Sequence, residues 1–229
     1  PPAPHASTTA PSFGLARAGT GFRSPGITLA AAGMTILRGA VGFMLFHLAF
    51  WFRGRDNGDV LLGAAVGLSS MGVFLGNTVG PTLRRLLHEE RMLMLALGLP
   101  AVAGLAAALL GGPVAGIGVA VTVNLAAALG RLAFDSMLQR DGPAANRGQA
   151  FARFETAFQL AWVAAAVLPV LFELPGRAGL FLVGAVGLSA TVQYAFDSRR
   201  LRRGTSGVVP ARSREGVDPR PDTRRAGGA

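Results

Sequence analysis

Six apolar stretches recur along the chain, each about long enough to cross a bilayer, and the polar residues collect in the gaps between them. The clearest run from Val60 to Val79, Met92 to Leu110, Val114 to Phe134 and Ala178 to Phe196; the only charged residue within them is Arg131. A run of about 20 such residues, each rising 1.5 Å, covers the roughly 30 Å hydrocarbon core of a membrane. Two less regular stretches complete the set. Residues 33–52 contain Arg38 and His47, and residues 157–172 follow Arg153 and Glu155. The latter is extended back to residue 152, because about 16 apolar residues alone are short for a span. The pattern predicts an all-α polytopic membrane protein with helices over residues 33–52, 60–79, 92–110, 114–134, 152–172 and 178–196.

Composition agrees, since 51% hydrophobic against 15% charged residues leaves too little polar surface to cover a water-soluble globule of 229 residues. There is no cysteine, which removes disulfides, thiolate metal sites and catalytic thiols. All 22 basic side chains are arginine, so Schiff-base chemistry on lysine is excluded as well. None of the readings below calls for a cofactor or a metal.

The arginines are unevenly placed. On the side of the amino terminus lie Arg17, Arg23, Arg84, Arg85, Arg91, Arg140, Arg147, Arg153, Arg199, Arg200, Arg202 and Arg203, against Arg53, Arg55 and Arg177 on the other. Positive charge is retained in cytoplasmic loops. The expectation is therefore a multi-pass protein of the plasma (inner) membrane with both termini in the cytoplasm. Residues 1–24, rich in Pro, Ala, Ser and Thr, read as a disordered linker or cytoplasmic loop; they lack the apolar region of a secretory signal. The chain opens on Pro1, which leads us to expect a piece of a longer protein or a processed product. Residues 201–229 read as a disordered basic tail near anionic headgroups; nucleic-acid binding is not expected without stacking aromatics.

Glycines in the second stretch, at positions 63 and 67 and then 72, 76 and 80, recur at four-residue spacing and predict close helix packing in a bundle. Pro100 and Pro169 each free a carbonyl and favour a kink. Ionisable or polar residues within spans are the candidates for function, because an ionisable one costs at least about 2.5 kcal/mol to insert. Arg38 is expected about five residues from the cytoplasmic end of its helix, where it either snorkels to the headgroups or faces a cavity. His47, four residues before Trp51, is either an interfacial histidine or a proton-coupled group. Asn124, in mid-span, is either interhelical glue or a substrate contact. Arg131 and Asp135, four apart on one helix face, form an ordinary ion pair or part of a gate.

Six helices, a Pro/Ser/Thr-rich leader and basic residues after the second helix resemble the carboxy-terminal half of a major facilitator superfamily transporter. The family's loop motif is Gly, three residues, Asp, a basic residue, one residue, Gly and two basic residues. The segment Gly76-Asn-Thr-Val-Gly80-Pro81-Thr-Leu83-Arg84-Arg85 keeps the first glycine and the final basic pair, with Gly80, Pro81 and Leu83 at the other defining positions. Asn146-Arg147-Gly148 before Phe151-Ala-Arg-Phe-Glu-Thr-Ala-Phe-Gln-Leu is similar to the turn leading into the family's eleventh helix. The segment beginning at Phe134-Asp135 and running through Pro169 is most similar to efflux-type members from high-GC bacteria.

The resemblance spans about residues 25–200 and implies two inverted three-helix repeats, with the first and fourth helices lining a central cavity and the third and sixth at the periphery. It ranks Arg38, His47 and Asn124 as substrate-cavity residues, and Gly76, Arg84, Arg85, Arg131, Asp135 and Arg147 as gating residues. It also implies secondary active transport of a small molecule by alternating access, with a missing amino-terminal six-helix half or a second copy as partner. A six-helix structural or assembly subunit without transport is the alternative. An enzyme is not expected. Gly67-Leu-Ser69-Ser70 has the flavour of a rhomboid nucleophile motif but no later helix carries a histidine, and His88-Glu89-Glu90-Arg91-Met92 lacks the second histidine of a zinc-protease helix.

Overall fold

A computed structural model describes residues 25–141 and 147–205. The described residues form six α-helices: α1 (Pro25–Phe52), α2 (Gly58–Leu86), α3 (Glu89–Leu110), α4 (Pro113–Asp141), α5 (Arg147–Leu171) and α6 (Gly176–Thr205). All six are long and apolar enough to cross a membrane. Their 22 to 30 residues correspond to about 33–45 Å at 1.5 Å per residue. The expectations for residues 1–24 and for most of the basic tail lie outside the described residues.

Every helix begins where expected or earlier, and most run further than the apolar windows. α1 starts at Pro25 rather than residue 33, and α2 continues through Pro81 to Leu86, so Arg84 and Arg85 occupy its last turn instead of a loop. α5 begins at Arg147, five residues before the expected start at residue 152, while α6 carries the start of the expected tail. Hydropathy falls where a helix leaves the hydrocarbon, whereas its backbone bonds continue until a cap or turn stops them. Arg84 and Arg85 at the carboxy end of α2, and Glu89 and Glu90 at the amino end of α3, suit the partial charges of those termini.

The α3–α4 turn has a specific backbone cause. Gly111 and Gly112 both adopt positive φ (71° and 85°), a region costly for residues with a Cβ, and Pro113 then opens α4 with its fixed φ.

The largest packing surfaces join α1 to α5, α2 to α4 and α3 to α6, with α3–α4, α1–α4 and α1–α6 next. α1 and α4 form the middle of the bundle: about half of the spanning window of α4 (50%) and 44% of that of α1 are buried, against 11% for α2 and 17% for α5. Within this bundle α2 and α5 are the least covered helices, while α3 and α6 cover one another. The core has two parts. Toward the arginine-rich end, Met34, Leu37, Leu93, Leu97, Phe134 and Phe158 pack together; toward the other end Phe43, Met44, Leu48, Phe52, Val123 and Leu180 do so.

Glycine accounts for the closeness of these crossings. A Cβ on Gly72 would lie 2.6 Å from the Val121 carbonyl, and one on Gly76 2.7 Å from the Ala128 Cβ, so α2 seats its backbone directly on α4. Gly104 and Gly184 do the same where α3 crosses α6, with 2.5 Å from a Gly104 Cβ to the Gly184 nitrogen. Gly63 and Gly67 face open space. The five-residue step from Gly67 to Gly72 turns about 140° at 3.6 residues per turn, so the two sets lie on different faces. Gly76→Val or Gly104→Val is expected to lower the melting point in detergent, at a cost of about 1–3 kcal/mol for an overpacked crossing. Gly63→Ala and Gly67→Ala serve as near-neutral controls in the same assay.

Candidate functional site

Four charged side chains from three helices meet inside the arginine-rich half of the bundle. Arg131 on α4 donates from Nε to Asp135 Oδ2 (3.0 Å) and from Nη1 to Glu155 Oε2 on α5. Arg38 on α1 donates from Nη2 to the other oxygen of Glu155, Oε1 (3.4 Å), and Gln159 Nε2 donates to the same Oε1 at 2.9 Å. Glu155 therefore bridges two guanidinium groups from different helices. Measured along the helices at 1.5 Å per residue, Arg38, Arg131 and Glu155 lie roughly 20, 15 and 12 Å from their arginine-rich ends.

The helix register explains the meeting. α1 and α4 cross at the centre and α5 packs along α1, so residues at similar depth on the facing sides of the three helices converge. An arginine in a span needs a counter-charge, and two carboxylates match two guanidinium groups here. The match is incomplete in detail: Arg38 Nε and Asp135 Oδ1 are buried without a hydrogen-bond partner among the described residues. The side chains remain open to the outside, with 29% of Arg38, 34% of Arg131 and 36% of Glu155 exposed.

Arg38 lies thirteen residues into α1, not five from its end, because the helix begins at Pro25. Its guanidinium is engaged with α5 rather than reaching for headgroups. Arg131 and Asp135 pair as their spacing implies, and Arg131 is shared with Glu155. Glu155 was not among the candidates. Its signal was the separation of four from Gln159 on the helix expected from residue 152 and the need of Arg38 for a carboxylate.

The other candidates lie apart from this cluster. His47 is 1% exposed, stacked between Phe43 (5.4 Å) and Trp51 (6.0 Å), with Nε2 3.2 Å from the Gly176 carbonyl. Arg55, in the connection just after α1, lies over Trp51 at 5.2 Å and caps this column. The histidine thus sits at the α1–α6 contact, against Gly179, where it serves packing rather than an aqueous interface or an open cavity.

Asn124 lines a cavity of about 170 Å³ between α1, α2 and α4, together with Ser69 and Ser70, and its Nδ2 donates to Ala120 O of its own helix (2.9 Å). A second cavity of about 250 Å³, between α1, α3, α5 and α6, is walled by apolar groups that include Phe43, Pro100 and Leu168.

Gly76 of α2 packs against α4, and Arg84 and Arg85 are exposed in the last turn of α2. The side chain of Arg147 lies outside the described residues. A further bridge, also unforeseen, joins α3 to α4: Ser136 Oγ and Arg140 Nη1 donate to the two oxygens of Glu89 (3.2 and 3.0 Å).

A double-mutant cycle of Arg131→Gln and Glu155→Gln is expected to show a coupling energy of about 1 kcal/mol or more in detergent unfolding, with each single variant costlier than independent sites would be. Partial exposure keeps it below the several kcal/mol of a sealed pair. The sequence matches no protein-family profile, and no curated protein shows significant similarity to it.

Proposed function

We propose that this chain is one half of a secondary transporter that moves a small molecule by alternating access, built as two inverted three-helix repeats like the carboxy-terminal half of the major facilitator superfamily. The observation that carries this reading is a permutation. Exchanging α1, α2 and α3 for α4, α5 and α6 turns the α1–α5 contact into α4–α2 and the α3–α4 contact into α6–α1, while α3–α6 and α1–α4 map onto themselves, and all of these are major contacts of the fold. Three crossings reverse direction, so two related triplets in one membrane are inverted with respect to each other.

The exposure of α2 and α5 supports a missing neighbour on that side, either an amino-terminal half or a second copy. Phe74 on α2 and Leu160 on α5 are 67% and 65% exposed, and the polar Ser70, Asn77, Thr78, Thr156 and Gln159 share these outward surfaces. Ionisable groups held between spans are themselves a mark of a transport path. The arginine-rich end faces the cytoplasm in this reading and both termini lie on that side of the plasma membrane.

Asn124→Ala tests transport against the structural-subunit alternative. In membrane vesicles from cells expressing the protein, flux of a substrate panel comprising a cationic dye, a sugar and an organic anion is expected to fall while the variant keeps its melting point and membrane level. Unchanged flux together with lost stability or lost partners would assign a scaffold instead. Reporter fusions at the two ends are expected to read out on the same, cytoplasmic side; opposite sides would end the six-span topology.

A further inference from the structure

The bridging carboxylate of Glu155 suggests what else its two partners can hold. We propose that Arg38 and Arg131 form a clamp for a small organic carboxylate, which Glu155 occupies in this structure as a tethered stand-in. The ligand's role as cargo rests on the transport reading above, whereas its binding does not.

Each oxygen of Glu155 takes a guanidinium from a different helix, Arg38 on α1 and Arg131 on α4, and Gln159 adds an amide donor. Nothing in that arrangement uses the glutamate backbone, so any planar carboxylate of free origin satisfies the same donors. Arg38 is also under-used: its contact with Glu155 is long at 3.4 Å, and its buried Nε has no hydrogen-bond partner. Asp135 holds Arg131 through Nε, which leaves Nη1 directed at the shared carboxylate.

Charge balance points the same way. With Glu155 withdrawn, two guanidinium groups face Asp135 alone, and one additional negative charge restores neutrality in a region where an unpaired charge is costly. A cationic ligand meets two arginines there, and among the described residues no three His, Cys, Asp or Glu side chains converge to hold a metal. Access and exchange are both available. The three side chains are about one-third exposed, and Glu155 rides on α5, which with α2 is the least covered helix of the bundle. The internal carboxylate competes with the external one, so the apparent affinity is reduced by the fraction of time the clamp is free.

The test is benzoate binding to the purified full chain in an uncharged detergent, followed by calorimetry. Glu155→Gln is expected to bind benzoate at least tenfold more tightly than the parent chain, and adding Arg38→Gln is expected to abolish that gain. Equal affinity of Glu155→Gln and the parent, or a gain that survives Arg38→Gln, overturns the clamp. Where Glu155→Gln fails to purify as a helical, monodisperse protein, Glu155→Ala prepared in acetate supplies the second measurement. Its melting point is expected to rise with acetate but not with chloride, and no rise overturns the proposal. Short-chain phosphatidylglycerol displacing benzoate at lower concentration than benzoate itself would assign the clamp to a lipid headgroup and overturn the small-carboxylate ligand. Vesicle flux separates the two readings: Arg38-dependent binding without flux of any panel member removes transport alone, and flux without Arg38-dependent binding removes the clamp alone.

Discussion

In a lipid solvent the outside of a protein is as apolar as its inside, and helices gain little by hiding leucine from hydrocarbon. What holds these six together is therefore close contact, and closeness is limited by Cβ atoms. Gly72, Gly76 and Gly80 let α2 rest on α4, Gly42 lets α1 meet the Trp162 backbone of α5, and Gly104 with Gly184 lets α3 cross α6. The three largest packing surfaces of the bundle thus each turn on glycine. Side chains such as Val102, Leu109 and Val114, more than 70% exposed, need no cover in that setting.

Close packing also decides where polar groups go. With α1 and α4 seated at the centre, the charged residues deep in their spans, Arg38 and Arg131, face the gap toward α5. Both answer this by pairing with Glu155 across the gap, while Arg131 also keeps Asp135 on its own helix, and so α5, after α2 the least covered helix, is tied to both central ones. Glu89, Ser136 and Arg140 repeat the device between α3 and α4 nearer the ends. At the opposite end an aromatic column does the corresponding work: Phe43, His47 and Trp51 stack along α1, and Gly116, Gly176 and Gly179 leave room for the rings.

These two ends differ in kind. Both carry ring contacts, Phe43, His47 and Trp51 at one and Phe134, Phe154 and Phe158 at the other, but among the described residues only the arginine-rich end adds charge pairs with unused donors and acceptors.

Much was legible in the chain itself. Six apolar runs of bilayer length, the glycine spacing of α2 and the four-residue separation of Arg131 from Asp135 each follow from local periodicity, and local periodicity is a property of neighbouring residues alone. Helix ends were less legible, because hydropathy does not report where backbone hydrogen bonding stops; Arg38, Arg84 and Arg85 changed their place for that reason. The partners of charged and aromatic residues were decided only by the tertiary structure. That Glu155 meets Arg38 across 117 positions, or that His47 rests on Gly176 across 129, depends on which helices are neighbours and at what register, and backbones that approach through glycine leave only a weak trace of their partner in the sequence.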